Sequence, residues 1–387
     1  MHIGIDARIY GIHHRGIGRY TERLISYLAK ISDGNRYTLF MNSADAKKIN
    51  LDKGKFKIVA ADVPWYSLKE HFAMPGLIKK SKVEIMHWPH LNVSYFCPVP
   101  YVVTIHDLIV FHYPDSRATN LPSWKYKIKL WGYHKVLKNA VKKAKKIIAV
   151  SEYTKRDIVR HLGVDEKKIT VAYLGVEKMV LGTEKFANTP QFSEYLSSKY
   201  KIRKQYILYV GSAYPHKNLH ALIDAYIYVR QMFARNWQLV LAGRIDEFYE
   251  NLQLYVKKSV KDESIRSDIV FAGEVSDRDL DGLYRGAKLF VFPSLYEGFG
   301  LPPLEAMSRL VPVVSSNSSC LPEILADSAR YFDPNDVKKI AQALDMAGSS
   351  HRALEELVQK GIQRTKRFSW ERMAEETAQV YKNVASS

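Results

Sequence analysis

The stretch Ser294-Leu295-Tyr296-Glu297-Gly298-Phe299-Gly300-Leu301-Pro302-Pro303-Leu304-Glu305-Ala306-Met307 decides how this 387-residue chain is read. It follows an apolar run at 289–292, and its two prolines fit the first turn of a helix, where the missing N–H has no intrahelical partner to lose. A glycine-bearing loop between strand and helix would present the amides of Gly298, Phe299, Gly300 and Leu301 at the helix mouth, where partial positive charge favours a diphosphate. Glu297 and Glu305 bracket the loop. Carboxylates accept hydrogen bonds from sugar hydroxyls, so one suits a ribose and the other a second sugar.

Outward from this loop, short apolar runs recur along the whole chain. In the first half they lie at 2–7, 37–41, 57–60, 84–87, 101–105, 146–150 and 169–171. Several are continuous rather than alternating, the pattern of parallel strands covered on both faces. Residues 174–204 lose the periodicity, turn polar and include Pro190, which reads as a connection between domains. A second series follows at 206–210, 238–242, 269–272, 289–292 and 311–314, with helical patterns between most of its runs. The expectation is two doubly wound α/β domains, 1–185 and 186–369, with a last helix in 370–387 that either ends the second domain or crosses back to the first. A chain of this length suits two cores.

Composition narrows the classes. With 47% hydrophobic and 25% charged residues and a mean hydropathy of -0.24, the chain reads as a soluble globular protein. No apolar run approaches the roughly 18 residues of a bilayer-spanning helix. The opening Met1-His2-Ile3-Gly4-Ile5-Asp6 lacks the pattern of a secretory signal. Cys97 and Cys320 are far apart, which speaks against a disulfide framework and for a cytoplasmic location. The net charge of +18 implies a polyanionic partner. Between Arg117 and Val150 stand ten Lys or Arg and no Asp or Glu, interleaved with Trp124, Tyr126, Trp131 and Tyr133. That stretch suits either an anionic membrane surface or an ordinary solvated helix face. No RNA- or DNA-binding motif accompanies it, so nucleic acid is not an expected partner.

Open parallel sheets bind ligands beyond the carboxyl ends of their strands. The residues there are Arg15-Gly16-Ile17-Gly18-Arg19, His87 to Asn92 and His106-Asp107 in the first half. In the second they are Gly211 to Asn218, Gly243-Arg244 and Ser294 to Glu305. The set is rich in glycine and cations. His87 and His90 offer a metal pair without an evident third ligand, and Asp277-Arg278-Asp279 mimics a metal-binding Asp-x-Asp where a helix cap is the better reading.

With two glutamates separated by seven residues and Gly-Phe-Gly-Leu-Pro between them, the chain resembles the retaining glycosyltransferases of family 4. The resemblance extends to Gly16-Ile17-Gly18-Arg19-Tyr20, Thr104-Ile105-His106-Asp107-Leu108, Tyr209-Val210-Gly211-Ser212, Pro215-His216-Lys217-Asn218-Leu219 and Phe271-Ala272-Gly273-Glu274-Val275-Ser276. It implies the GT-B fold, two facing Rossmann-like domains with parallel sheets and a cleft between them. It also implies that Glu305 holds the ribose and Glu297 the sugar, and that Lys217 holds the diphosphate. Gly16 would meet the phosphates, and His106 the sugar near the reacting carbon. Ser212, His216, Arg244 and Val275 complete the implied donor set, and His90, Asn92 and Asp107 are candidates for the acceptor. Catalysis would rest on His106, Glu297 and Lys217, without a metal or other cofactor.

Many members carry Arg where this chain has Ser212, so Lys217, helped by His216 or Arg244, would bear more of the leaving group's charge. Pro-His-Lys-Asn, Gly-Ile-Gly-Arg-Tyr and His87-Trp88-Pro89-His90-Leu91-Asn92 look most like bacterial and archaeal mannosyltransferases of surface-polysaccharide synthesis. The implied donor is GDP-mannose, and the implied acceptor a glycan or lipid-linked sugar. A sugar-nucleotide 2-epimerase on the same two-domain plan is the alternative, needing no acceptor. A dehydrogenase fits poorly, because Thr21 stands where a third glycine belongs and Asn42 where an acid would hold ribose.

Overall fold

The structure is a computed structural model and describes residues 1–11, 15–114, 123–177 and 189–386. The chain divides into two compact units, Met1–Gly175 with Phe368–Ser387, and Val176–Arg367.

The first unit holds a seven-stranded parallel sheet of β1 (His2–Asp6), β2 (Arg36–Met41), β3 (Phe56–Ala60), β4 (Ile85–Trp88), β5 (Tyr101–Ile105), β6 (Lys146–Ala149) and β7 (Ile169–Val171). The strand order is β3-β2-β1-β4-β5-β6-β7, so the winding reverses between β1 and β4, where such sheets open a crevice. The continuous apolar runs are explained by burial: β4 and β5 are buried along their whole length. The Trp370–Ala385 helix belongs to this unit and packs on the Arg15–Leu28 helix. A polar seam pins it: buried His87 lies 2.6 Å from the Tyr381 hydroxyl through Nδ1 and 2.8 Å from Thr104 Oγ1 through Nε2. Tyr20 meets the same Thr104 hydroxyl at 3.0 Å. Both His87 nitrogens are thus engaged with side chains, which accounts for this histidine without a metal.

The second unit holds a six-stranded parallel sheet of β8 (Tyr206–Val210), β9 (Gln238–Ala242), β10 (Ile269–Gly273), β11 (Leu289–Phe292), β12 (Val313–Ser316) and β13 (Ala329–Phe332), in the order β10-β9-β8-β11-β12-β13. The reversal here lies between β8 and β11. Three features depart from the sequence reading. Strand β12 starts two residues later than the run at 311–314. Strand β13 was not foreseen, being four residues with a charged Arg330 inside. The supposed connection contains the Pro190–Tyr200 helix, started by Thr189, whose side chain accepts the Phe192 N–H. The boundary placed at 185 and 186 lies outside the described residues. Among the described residues, no helix is long and apolar enough to cross a membrane.

Candidate active site

Because β8 and β11 are neighbours, the loops after them are brought together. Leu295 N–H donates to the His216 carbonyl at 2.8 Å, and Asn218 Nδ2 donates to the Pro334 carbonyl at 2.8 Å, tying one loop to the other side of the sheet. Asn218 tolerates the left-handed conformation this requires, φ 60°, better than most residues. Out of this frame Lys217 reaches Glu297, Nζ to Oε1 2.6 Å, with only 16% and 11% of the two side chains exposed. Glu297 is held from behind as well, its N–H donating to Ser319 Oγ at 3.0 Å.

Glu305 is buried within the short Leu301–Met307 helix, and the Tyr284 hydroxyl donates to its Oε2 at 3.0 Å. The guanidinium of Arg309 covers the Tyr284 ring at 5.2 Å and donates to the Glu305 carbonyl. Gly300 precedes that helix at φ 88°, and a Cβ there would meet Leu321 Cδ2 at 2.8 Å, so only glycine fits the turn. Gly298, Phe299 and Gly300 are buried and Leu301 half-buried, a more enclosed loop than the open row of amides expected from sequence.

The remaining donor candidates are less uniform. Ser212 accepts the Tyr209 hydroxyl on its carbonyl at 2.7 Å, Val275 is half-buried, and Arg244 is exposed just after β9. His216 departs from its expected role: burial, with the neighbouring Lys217 charge, lowers its pKa to about 4. A neutral ring can donate or accept a hydrogen bond but adds no positive charge at neutral pH, so the positive charge beside Glu297 is that of half-buried Lys217. Asp277-Arg278-Asp279 starts the Asp277–Gly286 helix, capped by Ser276, and the Asp279 carboxylate accepts from Tyr195, Tyr200 and Lys199.

In the first unit, His106 follows β5. Its Nε2 lies 2.9 Å from the Pro89 carbonyl, so Nε2 carries the hydrogen, and burial lowers its pKa to about 4. His90 meets the Tyr66 hydroxyl at 3.3 Å through Nδ1, and burial followed by repulsion from His106 lowers its pKa to about 3. Asn92, expected to meet an acceptor, instead places Nδ2 2.8 Å from both oxygens of buried Glu70. Asp107 accepts the Ile109 N–H at 3.1 Å, a turn that opens the Ile109–His112 helix. Gly16 is not in a loop: it lies in the first turn of the Arg15–Leu28 helix, exposed, with open space where a Cβ would go.

Sequence reasoning missed the buried network beside these residues. Fully buried Arg8 donates to Asp6 at 2.7 and 2.8 Å, to the Val63 carbonyl at 3.0 Å, and to Glu70. Burial opposes its charge, yet Asp6 and Glu70 win and raise its pKa. Two opposite charges at the end of an apolar strand and just past it, Asp6 and Arg8, were the available signal. A second group, His112, Asp157 and His161, joins the Ile109–His112 and Glu152–Leu162 helices. His112 Nε2 lies 2.8 Å from Asp157 Oδ2, and among the described residues these three come nearest to a metal-ligand arrangement.

Two family models match, glycosyl transferases group 1 over residues 195–364 and Glycosyltransferase Family 4 over residues 14–178. The O-antigen chain mannosyltransferase RfbU of Salmonella typhimurium is 30% identical over 281 residues, 72% of this chain and 69% of the relative. The chain belongs to the family 4 glycosyltransferases. The O-antigen chain mannosyltransferase B of Escherichia coli is 28% identical over 382 residues, 95% of this chain and 96% of its own length. Among solved structures, Anabaena Alr3699/HepE in complex with UDP superposes with a TM-score of 0.70 at 15% identity, covering 100% of both chains. That likeness speaks for the fold, which is GT-B, two units each built on a parallel Rossmann-like sheet.

Proposed function

We propose that this glycosyltransferase moves mannose from GDP-mannose onto a glycan or lipid-linked acceptor of surface-polysaccharide synthesis, with retention at the anomeric carbon and without a metal. The observation that carries the reading is the Lys217–Glu297 ion pair at the ends of β8 and β11, in the same unit as Glu305. The names of the relatives support mannose, and the donor base rests on resemblance.

In the resting protein Glu297 neutralises Lys217. An arriving diphosphate competes for the ammonium, and Glu297 is released to accept hydrogen bonds from sugar hydroxyls. Glu305, oriented by Tyr284, would accept a hydrogen bond from a ribose hydroxyl. As the C–O bond to the leaving phosphate breaks, Lys217 stabilises the growing negative charge while positive charge develops at the anomeric carbon. The acceptor hydroxyl attacks the face from which the diphosphate departs, and the leaving phosphate oxygen takes its proton. His106 enters as a neutral ring whose Nδ1 accepts a hydrogen bond. The site of action is the cytoplasmic side of the membrane, where a lipid-linked acceptor would be met.

The test is transfer of radiolabelled mannose from GDP-mannose to extracted lipid-linked acceptors, with UDP-glucose as the competing donor and a no-acceptor arm to detect epimerised donor. Mannosyl product is expected, falling at least about a hundredfold in Lys217→Ala and Glu305→Ala. Full activity in both variants, or an isomerised sugar nucleotide without acceptor, would overturn the proposal.

A further inference from the structure

The Glu70–Ser81 helix turns Met74 and Ile78 into the core of the first unit and leaves Phe72 70% exposed. Leu68, just before it, is 82% exposed, and Phe96 is 53% exposed. These do not stand singly. The rings of Phe72 and Phe96 lie 5.6 Å apart and those of Tyr95 and Phe96 5.2 Å apart, a connected aromatic ridge on the surface. Isolated exposed apolar residues need no explanation, but contiguous ones mark a contact.

The charge around the ridge selects the partner. Lys69, Lys79 and Lys80 are exposed on the same helix or beside it, and Lys143 lies 4.6 Å over the Tyr95 ring. In residues 63–83, 93–101 and 117–150 the only acidic side chain is Glu70, which is buried and bound to Arg8. Exposed aromatic and leucine side chains with Lys143 against them and further exposed lysines in the same segments, which carry no exposed carboxylate, match the interface of an anionic bilayer: apolar groups enter the headgroup boundary while ammonium groups meet lipid phosphates. A protein partner would not require acids to be excluded over three separate segments. Lys143, near the end of the basic stretch from Arg117 to Val150, stands beside this surface. Residues 117–122 of that stretch and the side chains of 121–129 lie outside the described ones, while Trp131 is 66% exposed with Lys135 5.0 Å over its ring.

We infer that the ridge of Phe72, Tyr95 and Phe96, with exposed Leu68, Lys69 and Lys143, docks the protein on an anionic membrane surface. This deepens the lipid-linked acceptor reading by naming the surface that meets the lipid. Docking is measured without donor or acceptor, so its failure and the failure of the transfer reading are told apart. The experiment is sedimentation of the full chain with vesicles of phosphatidylcholine alone or with about a third phosphatidylglycerol, at low and raised salt. Binding to the anionic vesicles at least tenfold above the neutral ones, weakened by salt, is expected. In Phe72→Ser/Phe96→Ser it should fall about tenfold with an unchanged melting temperature and unchanged transfer to a soluble acceptor. Equal binding to both vesicle types, wild-type binding by the double variant, or a wild-type dimer that the variant dissolves would each overturn the inference.

Discussion

The Lys217–Glu297 pair offers the sharpest perturbation. Its side chains are 16% and 11% exposed and 2.6 Å apart, so each charge has given up most of its water in exchange for the other. Removing one partner of a buried pair leaves an uncompensated charge and costs about 3–5 kcal/mol. The residual exposure places this pair lower, at about 2–3 kcal/mol. Glu297→Gln should therefore lower the melting temperature of the second unit by about 4–12 °C, at about 2–4 °C per kcal/mol for a unit of this size. Lys217→Met should do likewise. The double variant removes both charges and should recover about half of the summed loss, a coupling of at least about 1 kcal/mol. Differential scanning fluorimetry across the four proteins gives the cycle, and added nucleotide sugar gives the second axis. The wild type should be stabilised by donor, and both Lys217→Met proteins should not. Additive single effects, or single variants as stable as wild type, would refute the idea that the pair is held together in the resting protein and exchanged on binding.

Three further outcomes follow from the geometry. Burial holds His87 near a pKa of about 3 and, with Lys217, His216 near about 4, against an ordinary 6.5 in the unfolded chain. The unfolded chain therefore takes up protons first as pH falls below about 6.5, and stability should drop by up to about 1.4 kcal/mol per pH unit per histidine down to about pH 4, with no such change above pH 7. A melting temperature that stays level between pH 7 and 5 would contradict this. Gly16→Ala fills open space in a helix and should leave the melting temperature unchanged or raise it slightly. If a phosphate approaches that backbone closely, activity falls all the same, and unchanged activity would remove Gly16 from the donor set. Gly243→Ala should fail in the opposite way, because its Cβ would meet the Gly211 carbonyl at 2.0 Å and force apart the ends of β8 and β9. A loss of about 3 kcal/mol or no soluble protein is expected, and a normal melting curve would show that the strand ends have slack.

Much of the fold was legible because parallel strands buried on both faces leave continuous apolar runs, and Tyr101–Ile105, Tyr206–Val210 and Leu289–Phe292 are read directly from them. Strand β13 escaped because an edge strand of four residues can carry Arg330, which breaks the run. The Pro190–Tyr200 helix escaped because one buried stripe, with Phe192 and Leu196, suffices to dock it while the rest stays polar. Within the site, the spacing of Glu297 and Glu305 was visible, as was the place of Lys217 after a strand. What holds them was not: Tyr284 and Ser319 come from other elements and are joined to the glutamates only by the sheet order. The same holds for Asn92, whose engagement with Glu70 depends on a contact 22 residues away in sequence. The state of His216 is likewise a property of burial, which a single histidine in a sequence does not disclose.

The most direct test is the structure of the second unit's ligand-bound state, obtained by crystallising the full chain with GDP-mannose. The expected result is a diphosphate oxygen on Lys217 Nζ, a ribose hydroxyl on Glu305, and Glu297 turned from the ammonium to the mannose hydroxyls. A nucleotide sugar bound elsewhere, with the Lys217–Glu297 contact still at 2.6 Å and Glu305 bonded only within the protein, would contradict it.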